Sequence, residues 1–185
     1  MRSSSRKPRL FTIGHGNLQL DVFLARLERS SVRVLADVRS NPASARFPWF
    51  TRATLAAELE RRGLSYRWFR SLGGRRPPTP GQDLHRALPL EWQRRYAAAM
   101  STDEFAAACD SLLGLAASSV VAVLCAELDP RRCHRFLLAD RLVAMGARVI
   151  HVLDGAEPEE HQLGDEVTVE PDGRLLYGGK QLELL

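Results

Sequence analysis

The chain is short of lysine, of cysteine and of long apolar runs, and each shortage excludes something. Lys7 and Lys180 are the only lysines among 26 basic residues. Anion contacts therefore fall to arginine, whose planar fork grips carboxylate and phosphate bidentately. Three cysteines leave one unpaired under any pairing and make no disulfide framework, so a reducing cytoplasm is the expected setting. Neither a C-x-x-C redox spacing nor the paired spacing of a structural zinc site occurs. No apolar run approaches the roughly 20 residues that span a bilayer, and no membrane partner is expected. The N-terminus MRSSSRKPRL lacks the apolar core of a secretory signal; residues 1–9 read as a disordered basic arm.

What is present is an ordinary globular composition, 45% hydrophobic and 26% charged over 185 residues, enough for one domain with a full core. Charge is unevenly spread. Nine arginines between Arg61 and Arg95 face only Asp83 and Glu91, whereas residues 154–172 hold eight acidic side chains and no Lys or Arg. The basic stretch would attract a polyanion or face the acidic one.

Apolar runs at Leu10–Ile13, Val32–Val38, Val120–Cys125 and Ala147–Leu153 read as buried strands, with Leu64–Phe69 as a half-buried one. Leu20, Phe23, Leu24 and Leu27 form a core-facing helical stripe. Ser101-x-x-Glu104 reads as a capping box before the helix that buries Cys109. Asp129-Pro130 reads as the start of the helix between the last two strands. Strands alternating with helices predict a single α/β domain over residues 10–153. It has a mostly parallel, five-stranded, Rossmann-like sheet, in order 3-2-1-4-5, with helices on both faces. Residues 154–185 add an acidic loop and a C-terminal hairpin turning at Pro171-Asp172-Gly173. Residues 71–90 read as a long loop with a Gly73-Gly74 hinge, placed to cover the site.

The chemistry gathers in three loops at the carboxyl ends of strands, where parallel sheets place ligands. The first offers Thr12, His15 and Asn17; the second, Asp37 and Arg39; the third, Cys125, Glu127, Cys133, His134 and Arg135. Three readings compete for the third loop: a metal site, a Cys125–Cys133 redox pair, and a polar pocket for an anion. The pocket fits best, with no metal ligands assigned. Arg39 and Arg135 form its clamp, aided by Asn17, Thr12 and Arg75. Glu127, His134, His15, Asp37 and Cys125 are the candidate catalytic groups. Cys125 counts as a nucleophile only if something lowers its pKa. Arg135 either faces an open crevice or braces Glu127 as an ion pair; the crevice is favoured, which makes Arg135→Ala nearly neutral for stability.

Thr12-Ile13-Gly14-His15-Gly16, Asp37-Val38-Arg39 with Pro42 and Ser44, Leu72-Gly73-Gly74-Arg75, Leu124-Cys125-Ala126-Glu127 and Cys133-His134-Arg135 occur in that order. In these the chain resembles the family catalogued as domain of unknown function 488, from Phe11 to about Leu153. The resemblance implies a compact α/β domain with an unassigned activity and no stated cofactor. The leading expectation is an enzyme for a phosphorylated, nucleotide-like or other anionic small molecule. A nucleic-acid module using residues 61–95 and a non-catalytic ligand sensor are the alternatives, with oligomeric state left open.

Overall fold

A computed structural model describes residues 7–178. The expected basic arm lies mostly outside them. Alternation of buried strands and amphipathic helices gives β1 (Arg9–Gly14), α1 (Leu20–Arg29), β2 (Val34–Asp37), α2 (Arg52–Arg61), β3 (Ser65–Trp68), α3 (Glu91–Ala99), α4 (Asp103–Ser118), β4 (Val121–Cys125), α5 (His134–Ala144) and β5 (Arg148–Val152). These five strands are all parallel, and β2 and β4 are buried at every position. A two-residue β6 (Glu159–Glu160) adds an antiparallel sixth strand, and β7 (Val167–Val169) pairs with β8 (Leu175–Tyr177) as the hairpin.

The sheet order is β3-β2-β4-β1-β5-β6. The expected order had β1 beside β2; instead β4 lies between them, pairing Leu35 with Ala122 on one side and Phe11 with Ala122 on the other. Strands β1 and β4 remain neighbours, so their carboxyl-end loops still share one crevice. Side chains alternate across the sheet. Phe11, Ile13, Leu35 and Leu124 pack with Phe23 and Leu27 of α1 and Leu55 and Leu59 of α2. Leu10, Val34, Val123 and Val149 pack on the opposite face with Tyr96 of α3, Phe105 and Leu112 of α4, and Leu138 of α5. The cap of α4 falls at Thr102, one residue later than expected, accepting from Phe105 N. The acidic segment does not face the 61–95 arginines: Asp154, Glu159, Glu160 and Asp172 pair with Arg26, Arg131, Arg148 and Arg174.

One polar chain runs through this core. Asp140 on α5 accepts from Tyr177 OH (2.8 Å) and from His161 Nε2 (2.8 Å). That leaves His161 Nδ1 to accept from His151 Nε2 (2.9 Å), and His151 Nδ1 to accept from the Thr12 hydroxyl (2.6 Å). Every member is buried, so the chain ties β1, β5, α5 and the C-terminal hairpin together with its polar groups satisfied. Burial, then the neighbouring His161 ring and the Arg135 and Arg131 charges, push the His151 pKa down to about 3. Below its ordinary value of 6.5 the unfolded chain takes up this proton and the folded one does not, until pH nears 3. Stability from this group is therefore complete at neutral pH and declines as the medium is acidified. Its share of the loss between pH 7 and pH 5 is expected to be about 2 kcal/mol. Urea unfolding of the parent and of His151→Gln at both pH values measures it; equal pH dependence in the two would remove His151 from the account.

Candidate active site

Loops after β1, β2 and β4 meet at one sheet edge, as the strand pattern predicts, around a crevice of about 570 Å³. Cys125, Cys133 and His134 line it, with His15, Arg39, Phe47 and Trp92 beside them and Arg75, Glu127 and Arg132 as further lining groups. Close packing sets this geometry. A Cβ on Gly14 would stand 1.8 Å from the Glu127 carbonyl oxygen, so only glycine lets the first and third loops touch there.

Cys125 ends β4 and Cys133 caps the start of α5. Their Sγ atoms are 2.8 Å apart, with Cys133 donating to Cys125. His134 Nε2–H donates to Val38 O (3.1 Å), which orients the ring and turns Nδ1, a lone pair in the neutral imidazole and a donor once it holds the thiol proton, toward both sulfurs, at 3.7 and 3.5 Å. Two thiols this close cannot both ionise. The proton stays on Cys133, whose thiol is pushed up by its bond to Cys125 and by burial. Cys125 is held well below the ordinary thiol range by that bond, which outweighs burial, and by His134 and the Glu127 N–H. This is the activation that the sequence leaves open. Cys109, on the buried face of α4, has its thiol pushed up by burial to about 12.

Gly74 is not a free hinge. A Cβ there would lie 2.5 Å from His134 Nδ1, and one on Gly73 would lie 2.5 Å from Ser40 Oγ. The segment is packed against the imidazole, and Arg75 N donates to Ser40 Oγ (2.9 Å). The long loop also contains short 3-10 turns at Arg70–Leu72 and Gln82–Leu84. Of its residues, Gly74 and Arg75 line the crevice.

Several candidate residues are placed differently from expectation. Asp37 is fully buried, and its carboxylate is occupied by Arg39 Nε (2.9 Å) and Nη2 (2.5 Å) and by Tyr66 OH (2.5 Å). It positions Arg39 and does not face the crevice. His15 Nδ1–H donates to Gly16 O (2.9 Å), and its Nε2 accepts from Arg39 Nη1 (3.3 Å). Burial and the Arg39 charge hold its pKa below the usual imidazole range. Its one lone pair is taken by that guanidinium. Thr12 bonds His151 inside the core, and Asn17 is exposed outside the crevice lining.

Arg135 is the main correction. It is 1% exposed, and its guanidinium donates to Glu127 O and to Leu128 O (2.6 Å). It clamps the third loop from beneath, neither reaching the crevice nor pairing with the Glu127 carboxylate. The cause is where the helix starts. Asp129-Pro130 opens a separate 3-10 turn at Pro130–Arg132, with Asp129 accepting from Arg131 N (2.9 Å), and α5 begins only at His134. Arg135 is then in the first turn, directed back under the loop. The first turn also leaves backbone N–H groups without helical partners beside the sulfurs. Glu127 keeps an exposed carboxylate at the crevice. Arg132, Ser40, Phe47 and Trp92 line the crevice without belonging to the candidate set, and Cys133, weighed from sequence only for the metal and redox readings, lines it too.

The Cys125, Cys133 and His134 donor atoms lie within 4.8 Å of one another, a set able to hold a soft cation. The set offers three ligands where a structural zinc site takes four, and the surrounding Arg39, Arg75 and Arg132 suit a shared thiol–thiolate better than a cation. Among the described residues no helix is long and apolar enough to cross a membrane.

No curated protein and no solved structure matches the chain. A family model does, over residues 19–142. The matched span holds Asp37, Arg39, Cys125, Cys133 and His134, while His15 precedes it. With two thirds of its length covered, the chain belongs to the family described as domain of unknown function DUF488.

Proposed function

We propose that this protein is an enzyme acting on a small anionic substrate through Cys125 as nucleophile. The observation that carries the reading is the Cys125–Cys133–His134 contact opening into an arginine-lined crevice. Cys125 gives its proton to His134 Nδ1, and the thiolate attacks an electrophilic centre of the substrate. Arg75 and Arg132 hold the anionic part, while Arg39, locked on Asp37, forms a rigid wall of the crevice. His134 then returns the proton to the leaving group. Phe47 and Trp92 give the substrate an apolar wall. A free thiol pair of this kind suits the reducing cytoplasm.

The nucleic-acid alternative has less to draw on. Arg61 and Arg62 pair with Glu58, Arg95 pairs with Glu91, and Arg76 lies over Tyr96 and Phe105.

Alkylation tests the nucleophile without knowledge of the substrate. Cys125 should react with iodoacetamide along a pH profile whose midpoint lies well below the free-thiol value of about 8.5, and His134→Gln should raise that midpoint. The anionic reagent iodoacetate should react disproportionately fast, and Arg75→Ala should reduce that preference. A Cys125 that reacts only as an ordinary thiol, with the same midpoint in His134→Gln, would end the proposal.

A further inference from the structure

We infer that Cys133 is a resolving thiol and that the site reduces anionic low-molecular-weight disulfides through a transient Cys125–Cys133 bond. This rests on the reading of Cys125 as nucleophile and names its substrate class. Any thiolate nucleophile gains activation from the protonated thiol in contact with it. A thiolate that forms a mixed disulfide also gains a partner for the next step. The contact is built into the backbone at both ends. Cys125 O accepts from His15 N (3.1 Å), while Cys133 N donates to Pro130 O (3.0 Å) and Cys133 O accepts from Phe136 N (3.1 Å). The two sulfurs are already in contact, so closure to a covalent bond lies within the reach of side-chain rotation.

The steps balance. Cys125 thiolate attacks one sulfur of R–S–S–R′, forming Cys125–S–S–R and breaking the substrate bond. The expelled R′S⁻ takes the proton held on His134 Nδ1. Cys133 then passes its proton to the vacated Nδ1 and attacks Cys125 Sγ. The Cys125–Cys133 bond forms, the bond to R breaks, and RS⁻ leaves through the crevice with that proton. Two electrons pass from the protein to the substrate, and a dithiol reductant restores the two thiols. His134 serves both sulfurs because its single free lone pair stands 3.7 Å from one and 3.5 Å from the other. Attack depends on the thiolate fraction of Cys125 and on access to it, and the crevice provides the access. Arg75 and Arg132 favour substrates bearing carboxylates, with the exposed Glu127 as the acidic residue of the lining.

The dianionic aromatic disulfide dithiobis(nitrobenzoate) is the probe, used on the reduced full-length protein carrying Cys109→Ala to silence the core thiol. Two equivalents of nitrothiobenzoate should be released per chain. The intact mass should fall by two hydrogens with no adduct, and dithiothreitol should restore it. Cys133→Ser should release one equivalent and keep the other as a stable adduct on Cys125. Arg75→Ala should slow this reagent several-fold more than it slows neutral dithiodipyridine. A protein with both cysteines that retains the adduct as Cys133→Ser does would overturn the resolving role. Equal slowing of the two reagents would overturn the preference for anions. If Cys125 alkylates with iodoacetamide yet its adduct is never resolved, this inference fails and the nucleophile survives. If Cys125 is inert to both reagents, both readings fall.

Discussion

Asp37→Ala is expected to destabilise the protein by about 3–5 kcal/mol, because it strands a buried cation. Asp37 is 0% exposed and Arg39 is 6% exposed. Burial alone would pull the Arg39 guanidinium down; hydrogen bonds and charge from Asp37 outweigh it and raise it. Without the carboxylate, Arg39 keeps only the Phe50 carbonyl (2.8 Å) and His15 Nε2 (3.3 Å), and Tyr66 loses the acceptor at 2.5 Å. Removing both charges should cost much less than the single change, so Asp37→Ala with Arg39→Met is the informative double variant. Urea unfolding of the singles and the double gives the coupling. Additive losses would mean that the two side chains do not depend on one another.

Arg135→Ala is expected to cost about 3 kcal/mol, since two inward-facing carbonyls lose their donor at roughly 1–3 kcal/mol each. For a chain of this length that lowers the melting temperature by roughly 6–12 °C. The loop from Ala126 to Cys133 should also loosen, and Cys125 should then alkylate like an exposed thiol. Arg135→Lys should recover only part of the stability, because an ammonium cannot span the Glu127 and Leu128 carbonyls as a planar fork does. A variant within about 0.5 kcal/mol of the parent would show the clamp to be dispensable.

The elements and the meeting of three loops were legible because buried parallel strands are continuous apolar runs and glycines punctuate their ends. The sheet order was not. Leu35 and Phe11 sit on opposite sides of Ala122, yet nothing local in either run says which neighbour it takes, since both are apolar on both faces. Asp37 and Arg39 were legible as charges at a strand end, but whether they face each other or a ligand depends on Tyr66 and Phe50, which reach them from distant segments. Arg135 was misplaced for a local reason: Asp129-Pro130 carries the chemistry of a helix start and caps a 3-10 turn instead. Activation of Cys125 requires His134 to be turned by the Val38 carbonyl, a contact between distant segments that spacing does not encode.

The strand order has a consequence for how the chain is made. On a ribosome the N-terminal strand emerges first, but Leu10 can pair only with Val121 and Val149. Until β4 has left the exit tunnel, β1 has no partner, and β2 has only the half-exposed β3. The nascent protein therefore carries apolar β1 unpaired until β4 has been made, a state that invites chaperone binding. The arrival of Val121–Cys125 completes the sheet centre and the reactive sulfur together. A stalled or truncated product lacking β4 would have neither, and a chain stopped just after it would show Cys125 as an ordinary thiol until His134 and the closed sheet hold it.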